Sequence, residues 1–230
     1  MLNFLGIGAQ KAGTTWLYEQ LCQHPELAFP MGKEVHFWDA YYDRGLQWYL
    51  PPFEGNEKVK GEITPAYAIL PREKIEEIYQ INPKMRLIYL VRNPVERAWS
   101  SARMALKRAE MTLDEASDQW FIDHFHSYGS LARGDYQQCL TNWLSVFSKK
   151  QLLILKFEEI SRDPQRLLQC CCKHLGVDGA FFKKIPVESL REKIHEGRGG
   201  SLRPVLQQAL DGIYQEKIRD FERFLQAIEV

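Results

Sequence analysis

The stretch Phe4-Leu5-Gly6-Ile7-Gly8-Ala9-Gln10-Lys11-Ala12-Gly13-Thr14-Thr15-Trp16-Leu17 constrains the fold more than any other part of the chain. In order it is a short apolar strand, a glycine-bounded turn and the first turn of a helix. A strand that delivers a glycine turn onto a helix N-terminus gathers backbone N–H groups at one point, the layout of an anion-binding loop. The spacing from Gly8 to Gly13 is that of a P-loop, whose nucleoside-triphosphate form places lysine directly after the second glycine. Here that position is Thr14, and the lysine sits inside the loop at Lys11. The cradle is kept and its cation is moved, which points to a phosphate-like ligand other than a nucleoside triphosphate.

No repeat, low-complexity tract or long linker divides the 230 residues, so residues 1–230 read as one domain. With 45% hydrophobic residues, six Trp, ten Tyr and twelve Phe, the chain can bury a substantial core. Thirty acidic and thirty basic residues cancel, which leaves no global field for nucleic acid or an anionic membrane; an anion site must be local. The five cysteines are Cys22, Cys139 and the run Cys170-Cys171-Cys172, an odd and partly adjacent set that argues against a disulfide framework and for a reducing compartment. His174 lies near the run, but no second cluster has metal-ligand spacing, so the thiols read as buried and no metal is expected. No segment has the length of a membrane span, and Met1-Leu2-Asn3-Phe4 runs straight into the first strand. The expectation is a cytoplasmic protein or a catalytic domain excised from a larger one.

Strands are expected at about residues 3–8, 59–62, 86–91 and 152–155, alternating with helices. That alternation predicts an α/β fold, a central parallel sheet flanked by helices. Asn93-Pro94-Val95-Glu96 writes a second strand-to-helix junction, with Asn93 as N-cap, Pro94 at the first helical position and Glu96 completing a box-like cap. Thr112-Leu113-Asp114-Glu115 reads as a further helix start, and Asp163-Pro164 opens a helix with a core stripe of Leu168, Cys171, Cys172 and Leu175 ended by Gly176. The last helix is expected over about 204–227, and residues 26–58 read as loops with short helices.

Three constellations carry candidate chemistry. Lys11 with Gly13, Thr14 and Thr15 reads as a clamp on a terminal anionic group, or as an ordinary turn with Thr14 as N-cap and Lys11 solvated. Arg92 ends a strand, where open α/β sheets bind ligands, and Ser100 lies eight residues on. Both side chains can hold one phosphate if the helix begins beside the strand end; the plainer reading is an ion pair and a packing residue. Gly32-Lys33-Glu34-Val35-His36-Phe37-Trp38-Asp39 places a carboxylate and an imidazole two residues apart among aromatics, on one side of an extended segment, as a general-base site or a structural pair.

Together these motifs resemble the sulfotransferase family that uses 3′-phosphoadenosine-5′-phosphosulfate (PAPS), and look closest to the branch of heparan sulfate sulfotransferases and their bacterial relatives. Gln10 to Leu17 is similar to that family's 5′-phosphosulfate loop, Arg92 to Ser100 to its 3′-phosphate motif, and Lys33 to Phe37 to the segment with its catalytic glutamate. Gly61-Glu62-Ile63-Thr64-Pro65-Ala66-Tyr67 and the stretch from Tyr136 to Leu175 also look familial.

The resemblance implies a P-loop-like fold and direct in-line transfer of a sulfuryl group to a hydroxyl or amine, without a required metal. It implies that Lys11 stabilises charge on the leaving phosphate, that Ala12, Gly13, Thr14 and Thr15 line the 5′-phosphate site, and that Trp16 packs near the adenosine. Arg92 and Ser100 would hold the 3′-phosphate, and Glu34 would act as base, with His36 orienting the acceptor or serving as the base itself. Gly197-Arg198-Gly199-Gly200 aligns with a donor-closing loop, which makes Arg198 a donor-binding candidate. The product is 3′,5′-ADP, and the acceptor is a small molecule, carbohydrate or lipid. Two departures weigh against a glycosaminoglycan acceptor: Ile63 stands where some heparan sulfate enzymes have lysine, and their paired-cysteine loop is missing. A P-loop kinase or NTPase and a non-catalytic PAP- or PAPS-binding module stand as the alternatives.

Overall fold

The apolar runs become one parallel sheet. In the computed structural model, which describes residues 1–55, 57–191 and 201–229, the strands are β1 (Leu2–Gly8), β2 (Leu27–Ala28), β3 (Val59–Ile63), β4 (Arg86–Val91) and β5 (Leu152–Lys156). They stand in the order β2-β3-β1-β4-β5, and every pairing is parallel. β1 and β4 are buried almost end to end, as unbroken apolar runs must be when helices cover both faces.

The helices are α1 (Thr14–Leu21), α2 (Leu46–Tyr49), α3 (Arg72–Ile81), α4 (Pro94–Arg108), α5 (Asp118–His126), α6 (Tyr128–Gly134), α7 (Tyr136–Leu144), α8 (Glu159–Arg162), α9 (Pro164–Leu175), α10 (Ala180–Lys183), α11 (Val187–Leu190) and α12 (Pro204–Glu229). The main core joins the sheet to α1, α3, α7 and α9. Its α9 stripe is Leu167, Leu168, Cys171, Cys172 and Leu175, and the helix ends on Gly176 in the left-handed region. A second apolar cluster lies on the far side of α4, where Ala98, Trp99 and Ala102 meet Phe121 and Phe125 of α5 and Leu206, Leu210 and Tyr214 of α12. Between the clusters Arg97 is fully buried, and its Nη2 donates to the Ser130 carbonyl at 3.0 Å and to the Tyr214 hydroxyl at 3.3 Å, tying α4 to α6 and α12.

Three local expectations are corrected. Thr112 does not start a helix: the Glu115 carboxylate turns back to accept from the Thr112 backbone N–H at 2.7 Å and its hydroxyl at 2.8 Å, and α5 begins at Asp118 under a Ser117 cap. Asn93 caps α4 alone, accepting from the Val95 N–H at 2.9 Å, because the Glu96 carboxylate is drawn to Arg92 instead of the cap backbone. Thr14 is not the cap of α1; that position is Gly13, with no side-chain cap bond. No helix among the described residues is long and apolar enough to cross a membrane.

Candidate active site

All the strands run the same way, so the loops after β1, β3, β4 and β5 leave from one edge of the sheet, and the sequence-predicted residues lie on or against these loops. After β1, the Ala9 N–H donates to the Leu90 carbonyl at 2.8 Å, which stitches the glycine turn to the neighbouring strand. Lys11 follows at φ 68°, and Gly13 caps α1 at φ 89°. Gly13 is obligatory on two grounds: its backbone is left-handed, and a Cβ there would stand 2.5 Å from Ile160 Cδ1 and 3.0 Å from Phe157 Cδ2. With no side chain capping α1, the first-turn N–H groups of Thr14, Thr15 and Trp16 lack an intrahelical acceptor and present the positive end of the helix dipole to an anion.

Arg92 emerges from β4 beside that turn. Its Nη1 donates to the Lys11 carbonyl at 3.2 Å, its Nε and Nη2 donate to Glu96 Oε2 at 3.1 and 3.0 Å, and the guanidinium lies 4.3 Å from the Phe157 ring centroid. The Tyr136 hydroxyl donates to the Arg92 carbonyl at 2.9 Å, so β4, α7 and the first loop fix one another. Half-buried Ser100 sits on α4 one turn past Glu96, on the same face by helical period. Burial first, then the like charges of Arg103 and Arg92, pushes the Lys11 ammonium below its ordinary value, while Glu34 partly offsets them. A half-buried lysine crowded by arginines concentrates positive charge beside the glycine turn, and a nearby anion favours its charged form.

The third constellation is brought to the same place by a route the sequence did not indicate. Residues 34–36 are not extended: Glu34 and His36 take φ 57° and 56°. A bond from the Glu34 N–H to the Ile63 carbonyl, 3.0 Å, hangs this loop on the end of β3. The two side chains still meet, with His36 Nε2 at 3.9 Å from Glu34 Oε2. Burial pushes the Glu34 carboxyl up, but the Lys33 hydrogen bond and charge, with His36 and Arg108, outweigh it and hold the group below its ordinary value. His36 Nδ1 lies 2.9 Å from Asp39 Oδ2, which orients the ring and turns its Nε2 edge toward Glu34. Asp39 was given no role by sequence; its signal is the three-residue spacing from His36. Lys33, as the hydrogen-bond partner of Glu34, was also missed.

The remaining described candidates sit in the glycine turn and on the first turn of α1. Trp16 is buried, and its Nε1 donates to the Leu190 carbonyl at 2.7 Å. Ala12 and Thr14 are buried, and Thr15 is half-buried on the first turn of α1. Arg198 lies outside the described residues. The aromatic segment after His36 divides: Phe37 stacks on Tyr49 at 4.3 Å within the core, while Tyr41, Tyr42 and Leu46 remain exposed.

The sulfotransferase domain model matches residues 3–197 of the chain. Mouse heparan sulfate glucosamine 3-O-sulfotransferase 6 is 34% identical over 163 residues, covering 69% of this chain and 47% of that protein. The chain thus spans about half the length of the curated relatives it matches. A solved sulfotransferase from Alicyclobacillus acidocaldarius superposes with a TM-score of 0.75 at 25% identity, over 98% of this chain and 96% of that one. Mouse SULT7A1 complexed with PAP shares the fold, with a TM-score of 0.63 at 17% identity over 98% of this chain and 88% of that one. With the glycine turn, the arginine at the neighbouring strand end and the carboxylate–imidazole loop gathered at one edge of the sheet, these likenesses settle the family: the chain belongs to the sulfotransferases.

Proposed function

We propose that the chain moves the sulfuryl group of PAPS to a hydroxyl or amine of a small-molecule, carbohydrate or lipid acceptor, leaving 3′,5′-ADP. The observation that supports this reading is the Arg92–Lys11 contact, which sets the arginine assigned here to the 3′-phosphate against the loop assigned to the 5′-phosphosulfate. Gly13, Thr14 and Thr15 hold the 5′-phosphate on the N-terminus of α1, with buried Ala12 shaping the turn. Lys11 meets the bridging oxygen and stabilises the charge that develops as the bond to sulfur breaks. Arg92 and Ser100 take the 3′-phosphate, which distinguishes this donor from ordinary adenine nucleotides. Trp16, buried on the first turn of α1, supports the adenosine side of the site, and Arg198 serves as a donor-closing residue.

Glu34 takes the proton from the acceptor as its oxygen or nitrogen attacks sulfur in line. His36, steadied by Asp39, orients the acceptor beside it. Direct transfer asks the protein for position and charge stabilisation, and those are what this edge of the sheet supplies. The single domain reading over residues 1–230 and a cytoplasmic location, suggested by five free thiols, complete the proposal. The test is calorimetric titration with 3′,5′-ADP and 5′-AMP, followed by transfer of labelled sulfate from PAPS to an acceptor panel. Tighter binding of 3′,5′-ADP supports the reading, and equal affinity for the two nucleotides removes it.

A further inference from the structure

Glu62 is fully buried at the end of β3 and carries a carboxyl group that none of the three constellations uses. Three hydroxyls converge on it. Tyr49 donates to Oε1 in a short bond, Tyr67 donates to the same oxygen at 3.1 Å, and Thr64 donates to Oε2 at 2.6 Å. A buried carboxyl is costly unless its oxygens are saturated in this way, and saturation makes the cluster rigid. The cluster also reaches the base loop. The Tyr67 hydroxyl accepts from the Trp38 backbone N–H at 3.4 Å, between His36 and Asp39 in sequence, and the strand residue after Glu62 accepts from the Glu34 N–H. From below, Tyr49 stacks on Phe37 of the same loop. Glu34 and His36 hold left-handed backbone, a conformation that persists only where surroundings over-determine it.

We propose that Glu62 is a positioning residue for transfer: through Tyr67 and Tyr49 it fixes the loop that carries Glu34, His36 and Asp39 over the donor. It touches neither donor nor acceptor, and its effect is on the placement of the base. The turnover arm of this inference rests on the sulfotransferase reading; the loop-geometry arm does not.

Three variants of the full chain test it: Tyr67→Phe, which cuts the link to Trp38, Glu62→Met, which empties the cluster of its acceptor, and Glu62→Gln, which keeps an acceptor for both tyrosines and a donor for Thr64. In Tyr67→Phe and Glu62→Met the kcat falls about tenfold or more, the loss expected of a base displaced by a fraction of an ångström. The affinity for 3′,5′-ADP stays within about twofold, and Glu62→Gln keeps kcat within about threefold. Hydrogen exchange at the Trp38 and Glu34 amides quickens about tenfold in Tyr67→Phe, while exchange at the Ala9 amide, bonded to the Leu90 carbonyl, is unaffected. Unchanged exchange at Trp38 and Glu34, or a parallel fall of kcat and donor affinity in all three variants, overturns the proposal. Should Glu62→Met not fold, Tyr67→Phe decides. A wild-type chain that binds no donor and turns over no acceptor fails the sulfotransferase reading, and the exchange measurement alone then judges Glu62.

Discussion

The Arg92 guanidinium rests on the glycine turn, its Nη1 donating to the Lys11 carbonyl at 3.2 Å across 81 residues of sequence. The contact follows from topology, since β1 and β4 are adjacent and parallel, and the residues after their ends emerge side by side. Glu96 holds the other edge of the guanidinium, so Arg92 arrives oriented but with its charge shared. Replacing Arg92 with alanine removes a charge-assisted contact worth about 1.5–3 kcal/mol, so 3′,5′-ADP binding weakens roughly 10- to 150-fold. Binding of 5′-AMP, which lacks the 3′-phosphate, changes little. Isothermal titration with both nucleotides checks this, and an equal loss for the two would take the 3′-phosphate away from Arg92.

Gly13→Ala acts on stability and binding together. The added Cβ meets Ile160 and Phe157 within 3.0 Å and must sit at φ 89°. Positive φ alone costs a non-glycine residue about 1–2 kcal/mol, and the clash adds to it. A denaturant midpoint lowered to match, with donor binding lost below the unfolding range, is the expected result. Undiminished stability would show that the turn can open without disturbing α8.

How much of this was legible before the structure depends on where the information sits. β4 and α9 are written in the chain itself, by an unbroken apolar run and by a cap, a stripe and a terminal glycine, and they appear where expected. Thr112 to Glu115 carried the same local signal as a helix start, yet side chain and backbone satisfied each other in a turn, which propensity cannot distinguish. The Glu34–His36 pairing was expected from strand alternation and arises from two left-handed residues held by β3. The bonds that create it, to Ile63 and Tyr67, join segments about 30 residues apart, and no local pattern encodes them. Glu62 lies in a stretch that resembles the family, but its burial under three hydroxyls is a property of packing.

Lys11 offers a readout independent of turnover. Burial and the neighbouring arginines lower its pKa, since both disfavour the charged form. A bound polyphosphorylated nucleotide places negative charge beside the ammonium and favours the charged form. The Lys11 pKa therefore rises on addition of 3′,5′-ADP, and binding takes up a proton at pH values around and between the free-state and bound-state pKa. Nuclear magnetic resonance of isotopically labelled lysine, with Lys11→Ala to assign the signal, measures the shift. A pKa that stays put or falls on binding would separate Lys11 from the phosphate site. In the same variant the loss of its charge stabilisation lowers kcat by about 10²–10³.

The carboxylate of Glu34 must be ionised to take a proton, and the pH profile tests whether it does so. Its pKa lies below the ordinary value of 4.5, because Lys33, His36 and Arg108 together outweigh the cost of burial. A group with a depressed pKa stays charged as pH falls until that lower value is reached, so turnover holds as pH drops from neutrality. The acid limb of kcat/KM, which reports the free enzyme, falls below 4.5. Glu34→Gln preserves the shape of the side chain and its neighbours but cannot accept a proton. The kcat falls about 10²–10⁴-fold, the range for removing a general base, while 3′,5′-ADP affinity is retained, since the role proposed for Glu34 is toward the acceptor and not the donor. An acid limb a full unit or more above the carboxylate range, with the variant still turning over, moves the base role off Glu34. Loss of donor binding in step with kcat points instead to a loop that has lost its anchor at Ile63.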